Sequence, residues 1–322
     1  METDKPRIAI LMAVYEPQMD WLREQLKSLE RQTYPNLHLY IRDDGSSTVP
    51  FEEIEACVEN CIHSFPYVIS RNEENLGSNL TFQRLTQEAE GDCFAYCDQD
   101  DVWLPEKLTV LQEEMEGTGA LLVCSDMCII DGEGRQVADS MTKIRRRHVF
   151  HSGEGLTEGL ISNFVTGCTM LVRSQAAKAA VPFCPYMVHD HYIALCCSAE
   201  GRIQSVMRPL IRYRVHGGNQ TGLLAGVTDK ASYQKLRIDI PLEKFRWLEQ
   251  YFPYREEFWG EILRRRDWMC ARQRNWEGGG GAMTVWRCRR FSPLTSLFEL
   301  PARWLPEGLF CRVLRISKKK LV

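Results

Sequence analysis

The chain has 322 residues, of which 44% are hydrophobic and 26% charged, and its formal net charge is −3. This length and composition predict one large α/β domain with an appendage, or two modest domains. The longest apolar runs, residues 8–15 and 120–124, fall far short of the roughly 20 residues that span a bilayer. The sequence therefore excludes a transmembrane helix, and no small-residue cleavage site follows the first run, which predicts no signal peptide.

Thirteen cysteines, an odd number, are scattered through apolar segments. A chain of this length does not need disulfides to stabilise it, so we expect reduced core thiols and a cytoplasmic location. Three pairs share a CxxxC spacing that zinc sites also use: Cys57/Cys61, Cys93/Cys97 and Cys124/Cys128. The last two pairs lie in strand-like segments, where this spacing marks one face, so zinc is the less favoured interpretation.

The charge is unevenly distributed along the chain. Residues 261–322 carry 14 lysines and arginines against 5 acidic residues, which leaves a net charge of −12 on the first 260 residues. A basic segment of this kind usually contacts phosphate, either in nucleic acid or on an anionic membrane surface.

Residues 7–15 form a nearly continuous apolar run, which is typical of a parallel strand buried on both faces. Pro17 suits the first turn of a helix, and apolar residues follow it at helical spacing: Trp21, Leu22, Leu26 and Leu29. A second strand at residues 37–41 leads into Asp43-Asp44-Gly45-Ser46, which completes a βαβ unit. Ligands of open α/β sheets bind beyond the carboxyl ends of the strands, where Tyr15 and the two aspartates would lie.

The alternation continues with a helix near residues 51–61, a strand near 67–70 and a helix at 79–88. No Gly-x-Gly-x-x-Gly follows the first strand, and no Gly-Lys-Ser/Thr loop occurs in the chain. Dinucleotide-binding and P-loop functions are therefore disfavoured. Any bound phosphate has to be neutralised by a metal on acidic side chains and by basic residues from elsewhere.

The most informative stretch is residues 94–103, where an apolar run ends in Asp98-Gln99-Asp100-Asp101. Carboxylates this close repel one another, and a divalent cation such as Mg²⁺ or Mn²⁺ removes the repulsion. If the strand continues, its period-two alternation points Asp98 and Asp100 to one side, as an Asp-x-Asp site for a metal diphosphate requires. The alternative is an acidic turn that caps the helix starting at Pro105.

The second half continues the pattern, with strand-like runs at residues 120–130, 163–173 and 203–213 and an apolar helix from 188 to 199. In the second of these strands, Gly167 marks a point where a ligand or a neighbouring loop comes close to the backbone. A polar loop containing His216 follows the last strand.

Seven motifs follow one another along residues 6–225: Val14-Tyr15, Asp43-Asp44-Gly45-Ser46, Asn75-Leu76-Gly77, Asp98-Gln99-Asp100-Asp101-Val102-Trp103, Thr166-Gly167-Cys168, His189-Asp190 and Tyr213-Arg214-Val215-His216. In this order and spacing the chain resembles family two of the inverting glycosyltransferases, and it is most similar to bacterial rhamnosyltransferase-like members that build cell-surface polysaccharide. The resemblance implies an α/β fold of the GT-A type, a mostly parallel sheet flanked by helices with a Rossmann-like nucleotide-binding half.

The resemblance implies a nucleotide-sugar site at the carboxyl edge of this sheet. Tyr15 and Asp44 match positions that hold the base, by stacking and by accepting its N–H, and Asp43 lies beside them. The residues implied to contact the donor are Ala13, Tyr15, Asp43, Asp44, Asn75, Gly77, Asn79, Asp98, Gln99 and Gly167. Ala13 and Glu16 depart from the family pattern, in which a hydroxyl residue and an asparagine are common at these positions.

The implied cofactor is Mg²⁺ or Mn²⁺, held by Asp98, Asp100 and His216. Asp100 matches the direct metal ligand, and Asp98 lies nearer the ribose. The metal then bridges the diphosphate and stabilises the leaving nucleotide. For His216 the alternative is a loop histidine without a role.

An inverting transfer needs one general base to deprotonate the acceptor hydroxyl. Asp190 matches the acid of the family's Glu-Asp or His-Asp pair, at the start of a helix. The helix N-terminus favours the ionised carboxylate and is expected to lower its basicity. The alternative is that Asp190 only caps the helix.

The resemblance fades beyond residue 230, so we expect a catalytic domain at 1–228 and a helical, basic extension at 229–322. The tryptophan-bearing tail either contacts the cytoplasmic face of a membrane or packs as a solvated helix. The expected function is metal-dependent transfer of a sugar, rhamnose among the candidates, from a nucleotide-sugar donor to a polysaccharide or lipid-linked saccharide acceptor, without nucleic acid. The alternatives are a metal-dependent nucleotidyltransferase, which would need a Gly-rich loop after the first strand, and an inactive sugar-nucleotide-binding module.

Overall fold

The computed structural model describes residues 5–145, 148–156, 163–216 and 226–319. The chain divides into two compact units, Met1–Phe183 with Met187–Gly217 and Cys184–Tyr186 with Gly218–Val322. Each unit buries a hydrophobic cluster of its own, which runs from Ile8 to Ile211 in the first and from Val227 to Leu314 in the second. In the described part of the chain, no helix combines the length and hydropathy needed to cross a bilayer.

The first unit is built on one nine-stranded sheet. Its strands are β1 (Ile8–Val14), β2 (Leu37–Asp43), β3 (Tyr67–Arg71), β4 (Cys93–Cys97), β5 (Val102–Trp103), β6 (Leu122–Ile130), β7 (Gln136–Ala138), β8 (Met170–Arg173) and β9 (Ile203–Arg214). They lie in the order β3-β2-β1-β4-β8-β6-β9-β5, and β7 pairs with β6. Strands β3, β2, β1 and β4 are parallel, whereas β8 is antiparallel to both β4 and β6, so the sheet is mixed.

The carboxyl ends of the first strands meet at one edge of the sheet. Strand β1 is buried over almost its whole length, which confirms the prediction from its continuous apolar run. Val14 pairs with Asp43 of β2, and Met12 pairs with Cys97 of β4. The loops after β1, β2 and β4 therefore start side by side, and these loops carry most of the predicted site residues.

Helices flank this sheet as the sequence predicts. In the first unit they are α1 (Met19–Glu30), α2 (Phe51–Glu59), α3 (Ser78–Glu88), α4 (Lys107–Thr118), α5 (Met141–Ile144), α6 (Ser174–Ala179) and α7 (His189–Glu200). Helix α1 buries Leu22, Leu26 and Leu29, the apolar stripe expected from their spacing. Helix α7 is buried from His189 to Ser198, so its start is held rigidly.

Two predicted strands are shorter than expected. The strand predicted across the acidic stretch ends at Cys97, and Asp98 to Asp100 lie in a bend. The chain leaves the sheet here because β5 pairs with β9 at the far edge rather than beside β4. The period-two argument for Asp98 and Asp100 is therefore wrong. The predicted strand at 163–173 begins only at Met170, because residues 167–169 form a 3₁₀ turn closed by Thr169 and Thr166.

The second unit is helical, as predicted. Its helices are α8 (Lys230–Gln234), which continues through a π-helical turn (Lys235–Asp239) into α9 (Ile240–Tyr251), then α10 (Arg255–Trp276), α11 (Ala282–Arg287), α12 (Pro293–Ala302) and α13 (Glu307–Lys319). Asp229 caps α8 in a capping box with Ser232. The glycine run after α10 breaks the helix, and at Gly281 a Cβ atom would lie 2.4 Å from the Ala271 carbonyl oxygen, so only glycine fits there.

The thirteen cysteines all lie in the part of the chain that the structure describes, and no disulfide joins any of them. Nine are buried, in keeping with the predicted core thiols. Burial raises the pKa of Cys57 to about 11 and that of Cys93 to about 12, so these thiols stay protonated and are poor metal ligands.

Candidate active site

The loop after β1 is held by Gln99. The backbone N–H of Tyr15 donates to Gln99 Oε1 at 2.8 Å, and the Tyr15 carbonyl accepts from Gln99 Nε2 at 3.0 Å. Ala13 lies half-buried near the end of β1, and the Tyr15 ring is exposed at the strand's carboxyl end. An exposed ring fixed through its backbone is suited to stacking on a planar group. Gln99 therefore fixes the backbone of Tyr15 at the end of β1.

Glu16 joins this loop to the one after β2. It adopts a positive φ of 42°, which is rare for a residue other than glycine. Its carboxylate accepts from the backbone N–H groups of Ser47 at 2.7 Å and Thr48 at 3.0 Å. These bonds lower the pKa of Glu16 to about 2, so the side chain is ionised at neutral pH. Here the departure from the family pattern serves to hold two loops together.

The two aspartates after β2 are buried and bonded to protein groups. Asp43 accepts from Ser46 Oγ at 2.6 Å. Asp44 accepts from the backbone N–H groups of Leu76 at 2.9 Å and Gly77 at 2.8 Å. The Asp44 carboxylate thus holds the loop before α3 and faces protein donors rather than open solvent.

Asn75, Gly77 and Asn79 lie in this loop and the first turn of α3. Asn75 Oδ1 accepts from the Gly77 N–H at 3.0 Å, and Gly77 has a positive φ of 83°. Gly45 packs against the same loop, since a Cβ atom there would lie 2.8 Å from the Glu74 carbonyl carbon. The loops after β2 and β3 therefore form one wall beside the acidic bend.

The acidic bend after β4 presents two adjacent groups of side chains. Asp100 Oδ2 lies 2.6 Å from His216 Nε2. Asp98, Asp101 and Cys168 place their ligand atoms within 4.8 Å of one another. Burial raises the pKa of Asp98 to about 7, and the charges of Asp100 and Asp190 add to the rise. The predicted ligands therefore fall into two neighbouring groups: Asp100 pairs with His216, and Asp98 lies with Asp101 and Cys168, which were not predicted as ligands.

This donor set fits a hard divalent cation. Asp101 Oδ2 is buried and has no hydrogen-bond partner in the described structure, and a cation would relieve that cost. Mg²⁺ and Mn²⁺ prefer carboxylate oxygens over sulfur. Burial holds the pKa of the Cys168 thiol well above its usual range, so this thiol is protonated and the carboxylates are the suitable ligands.

Lys107 is a residue that the sequence reasoning missed. Its Nζ donates to the Cys168 carbonyl at 2.8 Å and lies 2.9 Å from the centroid of the Trp103 ring, fully buried. Burial lowers the pKa of Lys107 to about 7, while the charges of Asp101 and Asp98 raise it. A buried cation beneath the acidic bend partly balances its charge. The spacing of Lys107 with Leu111 and Met115, four and eight residues on, indicates a place on the core face of α4.

Asp190 lies on the other side of the 167–168 turn. Its Oδ2 accepts from the Gly167 N–H at 2.9 Å, and the side chain of Asn163 also bonds to it. Burial raises the pKa of Asp190 to about 6. The expected loss of basicity is therefore wrong, because burial outweighs the hydrogen bonds from Gly167, His191 and Asn163. Asn163 has a positive φ of 41°, a strained conformation of a kind often found at functional sites.

His189 is a packing residue. Its ring lies between Phe82, at 4.1 Å between centroids, and Tyr96, at 5.2 Å. Burial lowers the pKa of His189 to about 3, so it is neutral at physiological pH. A Cβ atom on Gly167 would lie 2.9 Å from His189 Nε2. The close approach predicted at Gly167 is therefore made by α7.

Arg214 belongs to one of the seven motifs, but the sequence indicated no role for it. It is almost fully buried, its N–H donates to Asp101 Oδ1 at 3.0 Å, and its Nε donates to the Asp100 carbonyl at 2.8 Å. The Trp21 ring lies 5.2 Å from its guanidinium carbon and 4.8 Å from the His216 ring. Arg214 and Trp21 therefore position the Asp100–His216 pair from below. Residues 217–220 of the predicted polar loop lie outside the described residues.

Residues 9–180, more than half of the chain, match the family model described as glycosyl transferase family 2. The chain belongs to this family. As a member of glycosyl transferase family 2, the protein is a glycosyltransferase, and the resemblance inferred from the motifs is confirmed.

Curated relatives within the family are distant. An uncharacterized glycosyltransferase of Nostoc sp. is 23% identical over 227 residues, which cover 70% of this chain and 69% of the relative. The dTDP-rhamnosyl transferase RfbG of Shigella flexneri is 24% identical over 246 residues, which cover 70% and 78%.

Solved structures share the fold of this family 2 chain. TarS 1-349 of S. aureus, in complex with UDP-GlcNAc, matches 98% of this chain and 89% of its own, with a TM-score of 0.58 and 15% identity. The mannosyltransferase PcManGT from Pyrobaculum calidifontis, in complex with GDP-Man and Mn²⁺, matches 99% and 86%, with a TM-score of 0.57 and 13% identity. In a longer TarS structure the chain spans 54% of the other protein. The predicted GT-A-type α/β fold is confirmed.

Proposed function

We propose that this glycosyltransferase transfers a sugar, with inversion, from a nucleoside-diphosphate sugar to an acceptor hydroxyl. One observation carries the proposal: the 167–168 turn contacts both Asp190 and the acidic bend, and the charges of Asp190 and Asp98 interact. The proposed base and the acidic bend therefore contact the same short turn. The complexes of TarS with UDP-GlcNAc and of PcManGT with GDP-Man support a nucleotide-sugar donor.

The donor is proposed to bind along the wall formed by the loops after β1, β2 and β3. Tyr15 stacks on the base, and the loop that Asp44 organises surrounds the nucleotide. The proposed donor contacts are Ala13, Tyr15, Asp43, Asp44, Asn75, Gly77, Asn79, Asp98, Gln99 and Gly167. Asp44 and Gln99 both bond to backbone groups of neighbouring loops. We therefore propose that they also hold these loops in position for the donor.

Asp98, Asp100 and His216 are proposed to hold Mg²⁺ or Mn²⁺. When bound, such an ion neutralises the charge that develops on the leaving diphosphate. The Mn²⁺ in the PcManGT complex supports this choice of cofactor. The protein's own part is to keep the acidic bend in place, through the Arg214 bonds to Asp100 and Asp101 and the Lys107 bond to the Cys168 carbonyl.

Asp190 is proposed as the general base. It takes the proton of the acceptor hydroxyl as the hydroxyl oxygen bonds to the anomeric carbon, and the bond from that carbon to the phosphate oxygen breaks. A pKa of about 6 suits this task, because the group is mostly ionised at pH 7 and yet more basic than an ordinary aspartate. The cap interpretation alone does not account for these contacts, since Asp190 accepts from the Gly167 N–H, outside its helix, as well as from the His191 N–H within it.

The proposal also covers the domain boundary, the location of the protein, its acceptor and its donor sugar. We propose that residues 1–228 form the catalytic domain and that 229–322 form a basic extension whose tail contacts the inner face of the cell membrane, with the protein in the cytoplasm. The acceptor is then a cell-surface polysaccharide or a lipid-linked saccharide. Rhamnose is the first donor sugar to test, because RfbG is named a dTDP-rhamnosyl transferase.

The test is hydrolysis of a donor panel, starting with dTDP-rhamnose and UDP-hexoses, with and without Mn²⁺. We expect metal-dependent release of nucleoside diphosphate from one donor. Asp100→Asn should abolish this release, whereas Asp190→Asn should bind the donor normally and lose transfer to an acceptor. The matched control is Asp20→Asn, an exposed acid on α1 whose loss should change nothing.

The products separate the rival functions. A nucleotidyltransferase would give nucleoside monophosphate and sugar phosphate, because it breaks the bond between the phosphates. A binding module would show a donor-dependent rise in Tm and no product. Normal transfer by Asp190→Asn would refute the assignment of the base.

A further inference from the structure

Helix α12 buries polar residues and exposes apolar ones, which is the reverse of an ordinary surface helix. Its buried face, at spacings of three residues, consists of Ser296, Glu299 and Ala302. Its opposite face is exposed and wholly apolar, and consists of Leu294, Leu297 and Pro301. Leu294 is 62% exposed and Leu297 50%, whereas Glu299 is 1% exposed. A helix of a soluble protein normally turns its charged face to water and its leucines to the core.

Buried bonds to Glu299 fix the orientation of α12. Arg272 Nε donates to Glu299 Oε2 at 2.7 Å, and the Tyr233 hydroxyl donates to Glu299 Oε1 at 2.9 Å. Arg272 is itself buried. Rotating α12 to hide its leucines would pull Glu299 away from Arg272 and leave an unpaired buried charge, which is strongly unfavourable. The exposure of the leucines is therefore built into the fold of this unit.

Tryptophan and arginine pairs border the apolar face. Trp304, three residues beyond Pro301, is 74% exposed, and the Arg303 guanidinium lies 4.2 Å from its ring centroid. Helix α11 packs against α12 and exposes Trp286, whose ring lies 4.4 Å from the guanidinium of Arg289. Such pairs place an apolar ring beside a charged head, as side chains at a membrane–water interface do.

The segment that carries this face is basic. Residues 282–319 contain two acidic residues, Glu299 and Glu307, of which Glu299 is neutralised by Arg272. They contain eight basic residues: Arg287, Arg289, Arg290, Arg303, Arg312, Arg315, Lys318 and Lys319. Anionic lipid head groups complement such a segment. A second copy of the chain does not, because two like-charged surfaces repel.

We infer that Leu294, Leu297, Pro301 and Trp304, here called the apolar stripe, insert into the interface of an anionic bilayer. The inference rests on the membrane contact proposed for the C-terminal segment and identifies the surface that enters the lipid. The stripe supplies apolar burial, and the surrounding arginines supply attraction to the head groups. Neither the donor nor the transfer chemistry is involved.

The test is flotation of the full chain with phosphatidylcholine vesicles, with and without phosphatidylglycerol. We expect binding only when the anionic lipid is present. A double variant, Leu294→Gln with Leu297→Gln, should reduce the partition coefficient about tenfold or more, because two apolar side chains no longer enter the lipid. The matched control is Val137→Gln with Met207→Gln, two similarly exposed apolar residues of the first unit, which should float like the wild type. Brominated lipid should quench the wild-type fluorescence more than that of Trp304→Phe.

Three results would overturn the inference: no flotation of the wild type with anionic vesicles, equal flotation of the stripe variant, or a wild-type dimer that the stripe variant dissociates. The last result would make the stripe a self-association surface. Donor hydrolysis in solution should be the same in the stripe variant and the wild type. A failure of flotation therefore leaves the proposed transfer standing, and a failure of hydrolysis leaves the membrane surface standing.

Discussion

The buried carboxyl of Asp190 should control the pH dependence of transfer. Because burial raises its pKa to about 6, the group is protonated below pH 6 and cannot accept the acceptor proton there. We expect kcat/KM for the acceptor to rise about tenfold per pH unit up to pH 6 and to level off above it. The rate should be measured from pH 5 to 8 at saturating Mn²⁺ and donor. A rate independent of pH between 5 and 7 would contradict the role of this carboxyl.

Gly167 should tolerate no side chain, although its φ is not in the left-handed region. In Gly167→Ala the added Cβ would lie 2.9 Å from His189 Nε2, a ring held between Phe82 and Tyr96. We expect a loss of about 1–3 kcal/mol in the free energy of unfolding, because the ring cannot move away without disturbing this packing. Transfer should fall as well, since the Gly167 N–H holds Asp190.

The matched control for this substitution is Gly117→Ala. Gly117 lies in α4, and nothing lies within 4 Å of the position its Cβ would take. Alanine is the better helix former, so this variant should be more stable by about 0.5–1 kcal/mol. Urea unfolding followed by circular dichroism measures both variants. Equal stability of Gly167→Ala and the wild type would show that His189 adapts to the methyl group.

At the level of elements, Arg214 joins the end of β9 to the acidic bend after β4. Lysine keeps the charge but cannot reproduce the guanidinium fork that bonds to the Asp100 carbonyl and packs by Trp21. We expect Arg214→Lys to lose about 2–4 kcal/mol of unfolding free energy, since buried acceptors lose their donors. It should also need more Mn²⁺ for half-maximal hydrolysis. Arg212→Lys, on the same strand, is the control, since the Arg212 side chain bonds to the Gly134 carbonyl and not to the acidic bend in the described structure.

Two assays should distinguish the effect of Arg214→Lys on stability from its effect on the Mn²⁺ requirement. Urea unfolding reports the stability of the fold, and Mn²⁺ titration of donor hydrolysis reports the geometry of the bend. If Arg214→Lys is destabilised but shows an unchanged Mn²⁺ requirement, Arg214 stabilises the sheet without positioning Asp100 and His216.

The parts of the fold that could be predicted from the sequence are those that a local pattern of apolar residues determines. The apolar run of β1 and the helical spacing of Leu22, Leu26 and Leu29 need no knowledge of the rest of the chain. The acidic bend could not be predicted from such a local pattern. Whether the strand continues past Cys97 depends on where β5 pairs, and that partner, β9, lies about a hundred residues further along. Local periodicity holds no information about such a pairing.

The same limit applies to the candidate site. The sequence indicated Asp98, Asp100, Asp190 and His216 because their motifs are local. It did not indicate the groups that support them, since Arg214 meets Asp100 across 114 positions and Lys107 meets Cys168 across 61. The pKa of Asp190 could not be foreseen either. A helix N-terminus is visible in sequence, but the burial that outweighs it is a property of the assembled core.

The chain divides into two units, and each contains a hydrophobic cluster of its own. All members of the first cluster lie between Ile8 and Ile211, and all members of the second lie between Val227 and Leu314. Every residue proposed to bind the donor, the metal or the acceptor proton lies in the first unit. A unit with its own core can fold without its neighbour. The proposed boundary at residue 228 can therefore be tested with a fragment that ends there.

A fragment that ends at Thr228 should fold and hydrolyse the donor with the same Mn²⁺ requirement as the full chain. It should not float with anionic vesicles, because the apolar stripe and its arginines are absent. Among the described residues, the buried members of the first cluster end at Ile211 and Tyr213 packs against them, so the fragment keeps all of these side chains. Circular dichroism, donor hydrolysis and flotation test the three statements separately. An unfolded fragment would show that the sheet depends on the helical unit, and a folded fragment that still binds vesicles would move the membrane surface into the catalytic unit.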